Sequence, residues 1–134
     1  MKDRSHGIWM RVTLLAVSLV LCGCASITVT TKEYLTSPRF APSDPARVQI
    51  LAVEPKRANE RLGEIMLSVA GSPSREKLEQ KLKRAAAKLG ADAVFMRYDT
   101  THVVPIVYYD WWGGPYATSE AVYRDVVAVA IKYK

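Results

Sequence analysis

One stretch of this 134-residue chain has the hydrophobic period of an α-helix, and it restricts the folds that the remainder can adopt. The stretch is SPSREKLEQKLKRAAAKLGAD, residues 72–92, and its apolar side chains fall on one face: Leu78, Leu82, Ala85 and Leu89. Ser72 is the predicted N-cap, and Gly90 is the predicted glycine that follows the last turn. Glu79 and Lys83 form a favourable i,i+4 pair. The sequence therefore predicts a single amphipathic helix that has one face to bury.

The segments on both sides of the helix have the patterns of β-strands. RVQILAV (residues 47–53) is a compact apolar run, and RLGEIMLSVAG (61–71) alternates, with Ile65, Leu67 and Val69 on one face and a bulge expected at Gly63. After the helix, residues 91–109 are typical of a strand that loses regularity at Pro105. Residues 119–134 form a long strand whose one face carries Tyr123, Val127, Val129, Ile131 and Tyr133. The order β-β-α-β-β predicts a two-layer α+β fold, in which the helix covers one face of a mostly antiparallel sheet.

The first 23 residues have the features of a secretory signal peptide. Lys2, Arg4 and Arg11 precede the apolar run VTLLAVSLVL, and small residues follow it. The run is too short to cross a bilayer by itself, which takes about 20 residues. We therefore expect residues 1–23 to be removed from the mature chain.

The end of this segment, LCGC, has the form of a bacterial lipobox. An apolar residue, Leu21, stands three positions before Cys24, and Gly23 stands directly before it. A peptidase must bring the backbone close to the scissile bond, so only a small residue fits at position 23; Cys22 is a poor alternative because the large Leu21 precedes it. We predict lipidation of Cys24, which would make the protein a lipoprotein, and two or three acyl chains hold a protein on a membrane effectively permanently.

Residues 24–46 follow as the lipidated cysteine and a Pro/Ser/Thr-rich tether, and residues 47–134 as a single α+β domain. SITVTT within the tether is compatible with a short strand, but the proline content favours a flexible spacer. Removal of the signal peptide takes three basic residues and one acid, so the net charge falls from +6 to +4. That mild charge, on an exported protein, does not indicate nucleic acid as a partner.

Residues 47–134 offer little for catalysis or for metal binding. They contain no cysteine, and His102 is their only histidine, which we expect at the surface or on an edge strand. No Gly-x-Ser-x-Gly motif and no thiol nucleophile are present. We therefore predict a protein without enzymatic activity, metal or cofactor.

The stretch YYDWWGGPYA, residues 108–117, carries the candidate binding residues: Tyr108, Tyr109, Trp111, Trp112 and Tyr116. Gly113, Gly114 and Pro115 predict a hairpin turn. On a strand, Tyr109 and Trp111 would point one way and Tyr108 and Trp112 the other. These aromatic residues would either fold back to plug one end of the sheet, dock on a protein, contact the membrane interface, or stack on glycans.

The motifs ERLGEI on a strand and AAAKLGADAVFMRYD at the end of the helix resemble the small envelope lipoproteins related to the Rcs stress-sensor lipoprotein, and the wider YbjQ-like group of α+β domains. The resemblance covers residues 47–99. It implies a non-enzymatic protein anchored to the outer membrane, on the periplasmic side, that acts by contact with other envelope proteins. Ala25 after the anchored cysteine fits the sorting pattern of such lipoproteins. The sensor relies on cysteine pairs that this chain lacks, so its signalling role is not carried over.

Three classes of function follow from these features. The first is a lipid-anchored adaptor or stress-sensor-like component that binds an envelope protein. The second is a structural lipoprotein that self-associates through the edges of its long strands. The third, an enzyme acting on lipid or cell wall, has the least support from the sequence.

Overall fold

The computed structural model describes residues 25–134, and these form one five-stranded sheet and one α-helix. The strands are β1 (Ser26–Glu33), β2 (Gln49–Leu51), β3 (Asn59–Ala70), β4 (Ala93–Tyr109) and β5 (Pro115–Tyr133). Helix α1 (Arg75–Lys88) lies between β3 and β4, and a short 3₁₀ helix (Pro45–Arg47) precedes β2. The predicted signal peptide and Cys24 lie outside the described residues.

The strands are arranged in the order β1-β3-β5-β4-β2. Neighbouring strands are antiparallel except for β2 and β4, which are parallel. An α+β fold with a single helix is therefore confirmed. The predicted order of elements is wrong in detail, because three strands rather than two precede the helix. The sheet is mostly antiparallel, as predicted, with one parallel pair among the four in the described residues.

The segment interpreted as a flexible spacer contains the edge strand β1. Ile27 lies opposite Val69, and Val29 lies opposite Leu67, in an antiparallel ladder with β3. Ile27 and Val29 pack against the core beneath the helix, whereas the threonines between them face outward. The strand forms because this alternation meets an apolar partner strand, which the local Ser, Thr and Pro content did not reveal. The prolines lie in the connection that follows β1.

Helix α1 buries its predicted face on the sheet, although it begins two residues later than predicted. Its N-cap is Ser74 rather than Ser72, and the Ser74 hydroxyl accepts a hydrogen bond from the Lys77 N–H at 3.4 Å. Glu79 pairs with Arg75 at 2.7 Å instead of with Lys83. Gly90 ends the helix at a φ of +74°, as the sequence predicted.

The main core lies between the helix and the sheet. Its largest contributions from β3 and β5 are Ile65, Leu67, Val69, Val126, Ala128 and Ala130, all of which are buried. The helix contributes Leu78, Leu82 and Ala85 to the same cluster, so its predicted apolar face closes the core over the sheet. This arrangement confirms the predicted inward face of β3.

A second, smaller cluster lies on the opposite face of the sheet. Phe95, Val129 and Ile131 are buried there, with Tyr34 and Tyr133 packed against them. The five β5 residues predicted to share a face, from Tyr123 to Tyr133, do so. The register with β3 and β4 places them on the face of the sheet that points away from the helix. The face becomes more exposed towards Tyr123, which none of the other described residues covers.

Gly63 interrupts the ladder between β3 and β5. The register shifts between Arg61 and Gly63, which confirms the predicted bulge. A Cβ atom at position 63 would lie 2.6 Å from the backbone carbonyl oxygen of Lys32. The bulge therefore depends on glycine, because β1 approaches the backbone of β3 too closely for a side chain.

No helix within residues 25–134 has the length and apolar character needed to cross a bilayer.

Candidate functional site: an aromatic β-arm

The two longest strands continue past the rest of the sheet as a two-stranded arm, which we define as residues 103–122. The last pair between β3 and β5 is Ala70 with Tyr123, and the last between β2 and β4 is Leu51 with Phe95. Beyond Tyr123, β4 and β5 pair only with each other among the described residues, from Val103 opposite Val122 to the tip. Seven residues of β4 at about 3.3 Å each give an arm about 23 Å long.

The arm is continuous through Pro105, where the sequence predicted a loss of regularity. Pro105 lies opposite Glu120 in the ladder. In a two-stranded ribbon every second residue of each strand points its N–H away from the partner strand, so proline is tolerated at such positions. Both outer edges of the arm therefore lack a neighbouring strand within the described part of the chain.

Asp110 organises the turn at the tip. Its Oδ1 accepts hydrogen bonds from the backbone N–H groups of Trp112 at 3.0 Å and Gly114 at 2.8 Å. The N–H of Asp110 donates to the Gly114 carbonyl at 2.8 Å, and Gly113 takes a φ of +82°. The hairpin turn is thus confirmed. Asp110 is the only charged residue between positions 103 and 119, and its carboxylate is occupied by the backbone.

All five candidate binding residues lie on the surface of the arm. The exposed fractions are 83% for Trp111, 78% for Trp112, 67% for Tyr116, 63% for Tyr109 and 44% for Tyr108. These values exclude the alternative in which the tip folds back to plug an end of the sheet. A large apolar surface is left in solvent, which is uncommon for a monomeric soluble protein.

The two tryptophans do not point to opposite sides of a strand. Their ring centroids are 3.9 Å apart with an interplanar angle of 35°, so they form one aromatic cluster. Both belong to the turn after Tyr109, where strand alternation no longer applies. Tyr108 and Tyr116 form a second aromatic pair further down the arm, with centroids 6.2 Å apart.

The flanks of the arm extend the apolar surface well beyond the residues that the sequence singled out. Val103, Val104 and Val107 are each at least 40% exposed. The sequence contained no signal for their exposure, since an uncharged apolar run such as residues 103–109 is equally typical of a buried strand. The sequence did not show that β3 ends before this run begins.

An ion pair on the helix side of the sheet holds the base of the arm. The Arg124 guanidinium donates to both carboxylate oxygens of Asp99, with an Nε–Oδ1 distance of 2.7 Å. These hydrogen bonds from Arg124 hold the pKa of Asp99 below its usual value, although desolvation opposes the shift. The same contact raises the pKa of Arg124. Asp99 thus joins β4 to β5 just before the arm leaves the sheet.

His102 lies on the outer face of β4, as expected, and it does not form a nucleophilic triad. The Asp125 carboxylate lies between it and a serine: the Ser68 hydroxyl donates to Asp125 Oδ1 at 3.0 Å, and His102 Nε2 is 3.8 Å from Oδ2. In a Ser–His–Asp triad the imidazole must stand between the hydroxyl and the acid. This arrangement cannot activate Ser68. Within residues 25–134, no group of three or more potential ligands could hold a metal ion.

Comparisons with known proteins assign no family to the chain. No family model and no curated protein matches it. A solved structure with partial similarity is the crystal structure of a Francisella virulence factor, FvfA, in the orthorhombic form, with 16% identity and a TM-score of 0.42 over 76% of this chain and 97% of that one. At that TM-score the similarity supports no statement about fold or function. The resemblance to the Rcs-related and YbjQ-like groups stays a prediction.

Proposed function

We propose that this protein is a lipid-anchored component of the bacterial envelope, without enzymatic activity, that binds another envelope protein through its aromatic arm. The observation that carries the proposal is the exposure of the aromatic cluster at the tip of a two-stranded ribbon whose only charged residues are Asp110 and Glu120. Tryptophan and tyrosine are the residues most enriched in the centres of protein interfaces. The outer membrane, on its periplasmic side, is the proposed location.

The anchor is supported by the agreement of charge, apolar length and cysteine placement at residues 1–24. Such an anchor would place the domain differently from one that hangs on a flexible tether. Because β1 begins at Ser26, only Ala25 separates Cys24 from the sheet. The domain would be held directly at the bilayer surface, with no spacer to let it reach into the periplasm.

The arm leaves the sheet at the same end as this anchor. Ser26 lies opposite Ala70 in β3, and Ala70 lies opposite Tyr123 in β5. The first residue of β1 and the base of the arm are therefore level with each other along the strand direction. A partner of the arm would be met close to the bilayer that holds Cys24.

The free edges of the arm favour a protein over lipid as the partner. Within residues 25–134 each edge carries backbone N–H and C=O groups without a strand partner, and these would be costly to bury in hydrocarbon. A protein can add a strand to such an edge while its pockets receive the aromatic side chains. Both features of the arm, its edges and its tip, would then contribute to one interface.

A second copy of this chain is the second candidate partner. The observation in its favour is the same pair of free edges, since two arms can pair edge to edge about a two-fold axis. Native mass spectrometry of the purified protein separates the two candidates, because self-association gives a stable homo-oligomer. The proposal that the protein is not an enzyme rests on the sequence motifs; the position of Asp125 between Ser68 and His102 excludes only a triad of these three residues.

Site-specific photo-crosslinking in intact cells tests the proposal. A photoreactive residue at Trp112 should yield a discrete adduct with one envelope protein, whereas the same residue at Lys134, at the opposite end of β5, should not. An adduct only with a second copy of the chain would establish the structural lipoprotein instead. An adduct only with phospholipid, or none, would overturn the arm as a protein-binding element.

A further inference from the structure

One side of helix α1 carries a row of cations with no acid among them. Lys77, Lys81, Arg84 and Lys88 follow each other at spacings of four, three and four residues, which places them along one stripe of the helix. Gln80 is the only other member of the stripe. All five side chains are exposed, and none of the four cations takes part in an ion pair among the described residues.

The stripe lies beside the first described residues of the chain. Lys77, Lys81 and Arg84 line one shallow groove together with Ala25 and Ile27. The acids of the helix lie elsewhere: Glu79 pairs with Arg75 on the other flank, and Glu76 contacts the Ser74 cap. The groove thus has a uniformly positive wall, and it opens at the residue that follows Cys24.

We propose that this basic stripe binds the anionic headgroups of the bilayer that holds the Cys24 lipid, as a second membrane contact that fixes the orientation of the domain. The inference rests on the lipid anchor of the proposed function. Charge complementarity and the position of Ala25 in the groove together identify a lipid surface as the occupant.

The distances suit such a contact. Seven residues of helix separate Lys77 from Arg84, which is about 10 Å at 1.5 Å per residue. The Debye length at physiological ionic strength is about 8 Å. Lys77 and Lys81 line the same groove as Ala25, so with Ala25 held at the headgroups an orientation that turns this groove to the bilayer brings both cations to the surface charge. Two attachment points then hold a domain that the lipid alone would leave free to rotate.

The test uses the full lipidated protein, reconstituted into vesicles of phosphatidylethanolamine with either phosphatidylglycerol or phosphatidylcholine. Once Cys22 is removed and Cys24 is lipidated, a Gln80→Cys substitution supplies the only free thiol. A fluorophore on this thiol should be protected from an aqueous quencher on the anionic vesicles and not on the neutral ones. High salt should remove the protection.

Charge reversal with a matched control separates this contact from a general effect of net charge. Each Lys or Arg near an anionic surface changes the docking equilibrium by about fivefold. Lys77→Glu with Lys81→Glu should therefore lower it by at least about 25-fold. Lys56→Glu with Lys134→Glu makes the same change in net charge at the other end of the sheet and should leave the protection intact.

The outcomes distinguish the failure of this inference from the failure of the anchor. A purified protein whose mass shows no lipid on Cys24 overturns both. A lipidated protein whose residue-80 label is equally accessible on the two kinds of vesicle overturns the basic stripe as a membrane contact and leaves the anchor in place. Equal loss of protection in the two charge-reversed variants would also overturn it.

Discussion

The backbone N–H of Gly71, the residue after the end of β3, donates a hydrogen bond to the carbonyl of Val122 at the base of the arm, at 2.9 Å. A Cβ atom on Gly71 would lie 3.6 Å from the Cα of Ala25. Gly71 therefore stands between the residue that follows Cys24 and the base of the arm. If Cys24 carries a lipid, the arm and the anchor act at one membrane-proximal end of the domain.

Replacement of Cys24 by serine should leave an unlipidated precursor with its signal peptide uncleaved, because the lipoprotein peptidase acts on a lipidated cysteine. Metabolic labelling with a fatty acid and the intact mass of the protein measure the result. Cys22→Ser is the matched control and should be processed normally. Normal cleavage of the Cys24→Ser variant would refute the lipobox.

Replacement of both Trp111 and Trp112 by alanine should weaken partner binding without unfolding the protein. Their side chains are more than three-quarters exposed, so the free energy of unfolding should change by less than about 0.5 kcal/mol. Loss of an interface hot spot costs at least about 2 kcal/mol of binding free energy. Crosslinking yield and the thermal midpoint measure the two effects.

A large drop in the midpoint of this double variant would show that the tip contributes to the core. The experiment has a convenient reporter, because Trp111 and Trp112 are the only tryptophans in residues 24–134. Their fluorescence emission should lie in the range of solvent-exposed indole for the free protein and shift to shorter wavelength on binding. Brominated lipids should not quench it if the partner is a protein.

Gly63→Ala should destabilise the edge of the sheet, because the added Cβ would lie 2.6 Å from the Lys32 carbonyl oxygen. That oxygen belongs to the backbone of β1, so relieving the clash requires the strand itself to shift. Overpacking of this kind costs about 1–3 kcal/mol. Gly113→Ala provides a comparison: its φ is +82° but no atom lies within 4 Å of the added Cβ, so only the cost of the left-handed conformation applies. Urea denaturation of both variants measures the two losses in the free energy of unfolding. A stability of Gly63→Ala equal to that of the parent protein would contradict the close approach of β1.

The Asp99–Arg124 pair should make stability depend on pH in the acid range. The folded-state pKa of Asp99 is lowered, first by the hydrogen bonds from Arg124, so the pair stabilises the fold above the unfolded pKa of about 3.9. That stabilisation is lost as the pH falls through the lowered folded-state value. Because both side chains are more than a third exposed, solvent screening limits the effect to below about 1 kcal/mol.

Asp99→Asn should therefore flatten the acid end of the stability profile, as followed by urea denaturation between neutral pH and pH 3. Arg124→Gln should flatten it equally, and the double variant should add nothing further. Additive effects of the two substitutions would show that the contact seen between β4 and β5 does not form in solution.

The amino-acid sequence was sufficient for the elements whose signals are local. The period of Leu78, Leu82 and Ala85 specified the helix and its buried face, and the alternation of Ile65, Leu67 and Val69 specified the inward face of β3. The bulge at Gly63 and the turn at Gly113 were also predicted, since glycine marks places where a side chain does not fit, as at Gly63, or where φ is positive, as at Gly113. The helix start was misplaced by two residues, because Ser72 and Ser74 offer the same capping chemistry.

The sequence could not establish the roles of β1 and of the arm, since both depend on where other strands end. SITVTT becomes a strand only because β3 offers it an apolar edge, and its composition alone is equally typical of a spacer. The aromatic residues of YYDWWGGPYA have the same identity whether they are buried or exposed. Tertiary structure decided the matter: β3 stops at Ala70, so in the described part of the chain the two strands of the arm, within residues 103–122, have only each other as strand partners and lie beyond the reach of the core.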